Sequence, residues 1–149
     1  MRRLENKVIV LAGSGAIGGA CARRYASEGA TVVIGDRNAD VAAASAEEVI
    51  AAGGRAVSQP LDGTSAESIQ ALVDRAVTDF GGIDAFHANY ASFVDGTISV
   101  DVLDIPMETW DEEMEVDARG FVLCTKAAVP ELLKRGGGAM LYTSSGAAY

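Results

Sequence analysis

Short apolar runs alternate with longer stretches of helical spacing along this chain. Five runs are rich in β-branched, aliphatic or aromatic residues: Lys7–Ala12 (KVIVLA), Thr31–Gly35 (TVVIG), Arg55–Ser58 (RAVS), Ile83–His87 (IDAFH) and Ala139–Thr143 (AMLYT). Several are apolar almost throughout, as strands buried on both faces of a parallel sheet are. Between them the period changes. In Ser65–Phe80 the apolar residues Ile69, Leu72, Val73, Ala76, Val77 and Phe80 recur at i, i+3, i+4, i+7, i+8 and i+11, which predicts a helix with one buried stripe. Ser65 and Glu67 mark its start. Asp40–Ala52 is alanine-rich and stops at Gly53-Gly54, and Pro106–Leu133 predicts a long helical region ending at Gly136-Gly137-Gly138.

With a further helix after the first strand, the order is β-α-β-α-β-α-β-α-β. Right-handed crossovers turn that order into a doubly wound parallel sheet with helices on both faces, a three-layer α/β/α Rossmann-type fold with strand order 3-2-1-4-5. One domain spanning 1–149 is expected from the length.

Charge removes whole classes of partner. The formal net charge is −9, and the basic residues Arg2-Arg3, Arg23-Arg24 and Lys134-Arg135 stand as isolated pairs. An acidic chain without a cationic cluster is a poor ligand for nucleic acid or an anionic membrane. No apolar run reaches the length of a membrane span. Cys21 and Cys124 lie in apolar surroundings, as buried thiols of a reducing compartment do, and no Cys/His grouping has metal-ligand spacing. The carboxylates between Asp101 and Asp117 predict a solvated helix start rather than a metal site. His87, inside a predicted strand, is expected to be a hydrogen-bonded core or sheet-edge residue rather than a general base.

Chemistry enters at the first turn. Gly13-Ser14-Gly15-Ala16-Ile17-Gly18 fits G-x-G-x-x-G directly after a predicted strand and at the opening of a helix. In that pattern the first glycine allows the turn, the second lets backbone approach a pyrophosphate, and the third lets helix and strand pack closely. The N–H groups of the helix start then face the phosphates. Asp36 ends the second strand eighteen residues after Gly18, where a carboxylate meets the ribose hydroxyls of an adenosine and repels a 2′-phosphate. NAD is therefore expected over NADP, although Arg37 beside it offers a partner to a 2′-phosphate. An export signal is the competing assignment for residues 8–25, VIVLAGSGAIGGACARRY, with Arg2, Arg3 and Lys7 upstream. Its apolar region is interrupted by Gly13, Ser14, Gly15, Gly18 and Gly19, and cleavage near Ala22 would remove the central strand. A cytoplasmic protein is expected.

Several segments together resemble the short-chain dehydrogenase/reductase family, from Lys7 to the last residue. Leu61-Asp62-Gly63-Thr64 is similar to the family segment whose aspartate meets adenine. Ile83 to Ala91 resembles the strand that ends in Asn-Asn-Ala-Gly. Trp110 followed by Val116-Asp117-Ala118-Arg119-Gly120 resembles the Trp…Val-Asn-x-x-Gly helix, and Gly138 to Ser145 the strand that leads to the catalytic serine. The resemblance implies an oxidoreductase that interconverts an alcohol and a carbonyl. It places Gly13, Gly15 and Gly18 at the pyrophosphate, Asp36 at the ribose, Asp62 at adenine, Asn89 in mid-site and Ser145 at the reacting oxygen. Ser14, Ile17, Arg37, Gly63 and Ala88 complete the cofactor-binding set. Dimers or tetramers built on the helices beside the fifth strand are also implied.

The departures are specific. The glycine turn is one residue shorter than the family's Thr-Gly-x-x-x-Gly-x-Gly. Asn-Asn-Ala-Gly becomes Ala88-Asn89-Tyr90-Ala91, and the bulky Tyr90 is expected to crowd the cofactor side. Asp117 stands in the catalytic asparagine's position and, when ionised, accepts hydrogen bonds without donating them. No Tyr-x-x-x-Lys follows Ser145 in these residues, and Tyr149 is too close to the serine to be that tyrosine. The expectation is the cofactor-binding part of an enzyme, lacking the later strands and helices of the fold, with an unfinished active site. A nucleotide-binding or structural module without catalysis is the alternative.

Overall fold

The computed structural model describes residues 2–92 and 100–145. Five parallel strands form one sheet: β1 (Val8–Ala12), β2 (Thr31–Asp36), β3 (Arg55–Pro60), β4 (Ala85–Ala88) and β5 (Ala139–Tyr142), in the order β3-β2-β1-β4-β5. The helices are α1 (Ala16–Ser27), α2 (Ala39–Ala51), α3 (Ala66–Phe80), α4 (Met107–Met114) and α5 (Gly120–Lys134). The strand order expected from the alternation is the one observed, and each strand begins or ends within two residues of its predicted limit.

Alternation within β1 shows why it is central. Val8, Val10 and Ala12 join Ile69, Leu72, Val73, Cys124 and Leu132 in one core, built on α3 and α5. Ile9 and Leu11 join Ala22, Ala26, Ala42, Ala46 and Val49 in the other, built on α1 and α2. A strand covered on both faces must be apolar at every position, which is why KVIVLA reads as a continuous run. Small residues on α1 and α2 let those helices approach closely; the opposite face uses larger side chains.

Helix boundaries follow local chemistry. Asn38 Oδ1 accepts from the N–H groups of Asp40 and Val41, and Ser65 Oγ from that of Ser68, so α2 and α3 start at capped ends. Gly81, at φ 80°, takes the left-handed turn that stops α3. The long helical region after Pro106 is not uniform. α4 and α5 are joined by a π-helical turn, Glu115–Arg119, in which the Gly120 N–H reaches the Glu115 carbonyl. One extra residue per turn is invisible to an i, i+3, i+4 pattern, so the sequence predicts a single helix there.

Two carboxylates pin the chain behind the sheet. Glu28 accepts from the Arg3 N–H and from Arg3 Nη2 at 3.1 and 2.9 Å, and pairs with Arg24. The Arg3 side chain and backbone together hold its carboxyl down to about 2. Burial pushes the Asp84 carboxyl up, but the Val8 N–H, Lys7 and Arg135 outweigh burial and leave it below the usual range. Groups with depressed folded-state pKa values stabilise above their ordinary pKa and lose that contribution as pH falls through the folded value. Thermal melts should therefore lose stability progressively from about pH 5 downward. Glu28→Gln should flatten the acid limb, and an unchanged limb would contradict this account.

Candidate functional site

The sheet register brings the predicted site together. Gly35, Ala12, Ala88 and Tyr142 lie in one row across β2, β1, β4 and β5. One residue further on stand Asp36, Gly13, Asn89 and Thr143, all at the C-terminal edge. β1 is also where the winding reverses, since β2 lies on one side and β4 on the other. Ligands of such sheets bind at that switch point.

A cleft of about 500 Å³ opens there. Gly13 and Gly15 of the first turn line it, with Asp36 and Arg37 at the end of β2, Leu61 to Thr64 after β3, Asn89 to Ser92 after β4, and Glu112, Glu115 and Val116 from the helical region beyond. Seven of the residues singled out for cofactor binding thus share one wall or another. Ser14, Ile17, Gly18 and Ala88 do not line it. Ser14 is 2% exposed beneath the turn, Ala88 is buried in β4, and Ile17 lies on the exposed face of α1.

The turn is held from two sides. Gly13 has φ 93°, a left-handed conformation that favours glycine. Its N–H donates to the Gly35 carbonyl at 2.7 Å, while Asn89 Nδ2 donates to the Gly13 carbonyl at 3.1 Å. Asp36 Oδ2 accepts from the Ser14 N–H at 2.7 Å and from the Ser14 hydroxyl at 3.1 Å; Oδ1 accepts from the Asn38 N–H at 2.9 Å. Gly18 packs against the turn so closely that a Cβ there would lie 2.0 Å from the Gly13 oxygen. At Gly15 a Cβ would meet nothing within 4 Å.

Gly15 is also the N-cap of α1, with no side chain capping that end and no acidic residue in its first turn. α2 and α3 spend a side chain on that task. An uncapped helix start beside an open glycine fits a pyrophosphate, whose charge the first-turn N–H groups and helix dipole favour. Across the cleft, the Thr64 hydroxyl and N–H bond Asp62 Oδ1 at 2.7 and 2.9 Å and lower its carboxyl's pKa.

Tyr90 does not project freely into the cleft. Its side chain lies where Gly63 and Gly120 lack theirs: a Cβ at Gly63 would come within 2.7 Å of the ring, and one at Gly120 within 2.7 Å of the hydroxyl. The hydroxyl donates to the Gly63 carbonyl at 3.1 Å, and Cys124 Sγ lies 3.2 Å away. Burial pushes the Cys124 thiol up to about 11, so it stays protonated and donates to the Tyr90 oxygen. The pairing of Gly63 with Tyr90 was the available sequence signal for this arrangement, but it links residues from different elements.

Asp117 lies in the π-helical turn and accepts the Ser92 N–H at 2.7 Å; burial pushes its carboxyl up against that bond. It does not line the cleft. Ser145 is exposed beyond the end of β5. Tyr149, and residues 93–99 of the connection after β4, lie outside the described residues. His87 is buried and hydrogen-bonded at both ring nitrogens, as its place in a strand suggested. Both cysteines are free thiols, Cys124 buried and Cys21 half-buried. Among the described residues no helix is long and apolar enough to cross a membrane.

Comparison with known proteins adds to this geometry. A family model described as enoyl-(acyl carrier protein) reductase matches residues 11–149. An uncharacterised oxidoreductase of Mycobacterium tuberculosis is 42% identical over 147 residues, which are 97% of this chain and 58% of that protein. Dehydrogenase/reductase SDR family member 4 of Bos taurus is 39% identical over 155 residues, 98% of this chain and 52% of its own. A hydroxysteroid dehydrogenase from Escherichia coli superposes with TM-score 0.85 at 33% identity, covering 94% of this chain and 58% of that one. The chain therefore spans little more than half the length of the relatives it matches.

Proposed function

Since the chain belongs to the short-chain dehydrogenase/reductase family of oxidoreductases, we propose that it forms the cofactor-binding part of an NAD-dependent enzyme interconverting an alcohol and a carbonyl. The observation that carries this reading is the Gly13–Gly18 turn, with Asp36 bonded to it and the uncapped start of α1 beside it. NAD supplies or accepts the hydride when bound.

This chain's residues bind and orient. Gly15 lets the diphosphate approach the first turn of α1. Asp36 receives a ribose hydroxyl on Oδ1 while its other lone pairs hold Ser14 and Asn38. Asp62 stands ready for the adenine, and Asn89 keeps the turn in place. Ser145 holds the substrate oxygen at the end of β5.

The acidity of the cleft favours NAD over NADP. Among the described residues, Asp36, Asp62, Glu112 and Glu115 line it, against the single cation Arg37. A 2′-phosphate would be repelled by Asp36 and gain only Arg37. On their own, these residues are expected to bind NAD with little turnover. They contain no Tyr-x-x-x-Lys beyond Ser145, and a tyrosine acting as acid near neutral pH needs a cation to lower its pKa.

A non-catalytic nucleotide-binding module is the second reading. It is favoured by Asp117, which stands where the family uses asparagine and is bonded to Ser92. Calorimetric titration of the purified chain with NAD and NADP tests the first reading. NAD should bind at least about tenfold tighter, one charge contact being worth on the order of 1.4 kcal/mol. Equal or tighter NADP binding would overturn the assignment of Asp36.

A further inference from the structure

One hydrogen-bond chain runs from the back of the sheet to the glycine turn. Tyr25, on α1, places its hydroxyl 3.0 Å from His87 Nδ1 in β4. His87 Nε2 lies 2.9 Å from the Thr143 hydroxyl, just past β5. Thr143 donates to Asn89 Oδ1 at 2.6 Å, and Asn89 Nδ2 donates to the Gly13 carbonyl at 3.1 Å.

Each direction follows from the last acceptor. A carbonyl only accepts, so Asn89 turns its NH₂ to Gly13 and its oxygen to Thr143. The Thr143 proton is then committed to Asn89, and the Thr143 oxygen must accept from His87. His87 therefore carries its proton on Nε2, and Nδ1 accepts from Tyr25. Burial of the ring lowers its pKa, consistent with a neutral imidazole.

The end of this chain matters because of peptide planarity. The Gly13 carbonyl and the Ser14 N–H belong to one rigid peptide unit. Asn89 holds the carbonyl end, and Asp36 holds the N–H end. Release of the carbonyl lets the plane tilt and draws the Ser14 N–H away from Asp36. Thr143 also ties Asn89 to the strand end that leads to Ser145.

We propose that His87 is a positioning residue, acting through Thr143 and Asn89 to fix the plane of the Gly13–Ser14 peptide and tie the dinucleotide turn to the end of β5. The functional part of this inference rests on the dinucleotide reading given above. His87 touches neither cofactor nor substrate in this account.

The test pairs a disruptive with a conservative variant at two positions. His87→Leu and Thr143→Val break the chain; His87→Gln keeps a donor in the Nε2 position, and Thr143→Ser keeps the hydroxyl. Three readouts are taken on the purified chain: NAD affinity by calorimetry, exchange of the Ser14 and Val10 amides, and the His87 tautomer by ¹⁵N NMR. Leu and Val should each weaken NAD about tenfold, the worth of one well-placed hydrogen bond, and Gln and Ser should recover most of it. Ser14 exchange should quicken in the disruptive variants while Val10, in the core of β1, stays protected.

The inference is overturned by a proton on Nδ1. It is also overturned by equal losses in the Gln and Leu variants, or by unchanged Ser14 exchange in Thr143→Val. If His87→Leu does not fold, the Thr143 pair decides. If the unmodified chain fails to bind NAD while exchange and tautomer behave as described, the dinucleotide reading falls and the positioning chain stands.

Discussion

Gly18→Ala should lower both stability and NAD affinity, whereas Gly15→Ala should lower NAD affinity alone. The two positions belong to one motif but meet different surroundings. At Gly18 a Cβ would lie 2.0 Å from the Gly13 oxygen and 2.8 Å from Asn89 Nδ2. Neither can give way cheaply, because the first is backbone and the second is held by the Gly13 carbonyl. The methyl must push α1 away from β1, at a cost of about 3 kcal/mol, the upper part of the overpacking range. A loss of that size lowers Tm by roughly 10 °C in a chain of this length. Displacement of the turn by a fraction of an ångström should weaken NAD on the order of 100-fold.

At Gly15 the added methyl meets nothing within 4 Å, and the backbone, at φ −56°, accepts an L-residue. Tm should stay within about 2 °C, as for substitutions that touch no neighbour. NAD affinity should still fall, because the space filled is the one the diphosphate needs. Thermal melts and calorimetric titrations of both variants check the dissociation. A Gly15→Ala protein that binds NAD normally would show that the turn is a structural feature only.

Asp36→Ala should reduce NAD affinity and narrow, or reverse, the preference over NADP. The carboxylate has two tasks that alanine cannot perform. It accepts three hydrogen bonds, from the Ser14 N–H and hydroxyl and from the Asn38 N–H. Loss of these bonds to an ionised acceptor costs about 2 kcal/mol and loosens the turn. It also carries the charge that repels a 2′-phosphate. With that charge gone, Arg37 still lines the cleft beside position 36 and can meet a 2′-phosphate, so NADP should lose less than NAD. The ratio of the two dissociation constants should shift by at least about tenfold, the worth of one charge contact. A parallel loss for both nucleotides would assign Asp36 to the turn alone.

Particular residues show which parts of this molecule were legible in sequence. β1 and β2 announced themselves because strands covered on both faces have no polar positions to spare. The G-x-G-x-x-G turn and Asp36 were legible because their spacing is fixed by one β-α-β unit, within which local order translates directly into position. The π-helical turn at Glu115–Arg119 was not, since the pattern on either side of it remains helical. Tyr90 lines the cleft, and its side chain also fills the space left by Gly63 and Gly120, a fit made across 27 and 30 positions of chain. The His87–Thr143 contact spans 56 positions and depends on β4 and β5 being neighbours in register. Such contacts have no local signature: they exist only once the sheet has formed.

The central claim is that the Gly13–Gly18 turn and the end of β2 together hold a dinucleotide. The most direct test is titration of NAD into ¹⁵N-labelled chain, following backbone amides by NMR. This account predicts that the largest shifts fall on Ser14 to Ile17 and on Asp36 to Asn38, with smaller ones at Asp62 to Thr64. Absence of shifts at the turn, or shifts confined to residues outside the cleft, would contradict it.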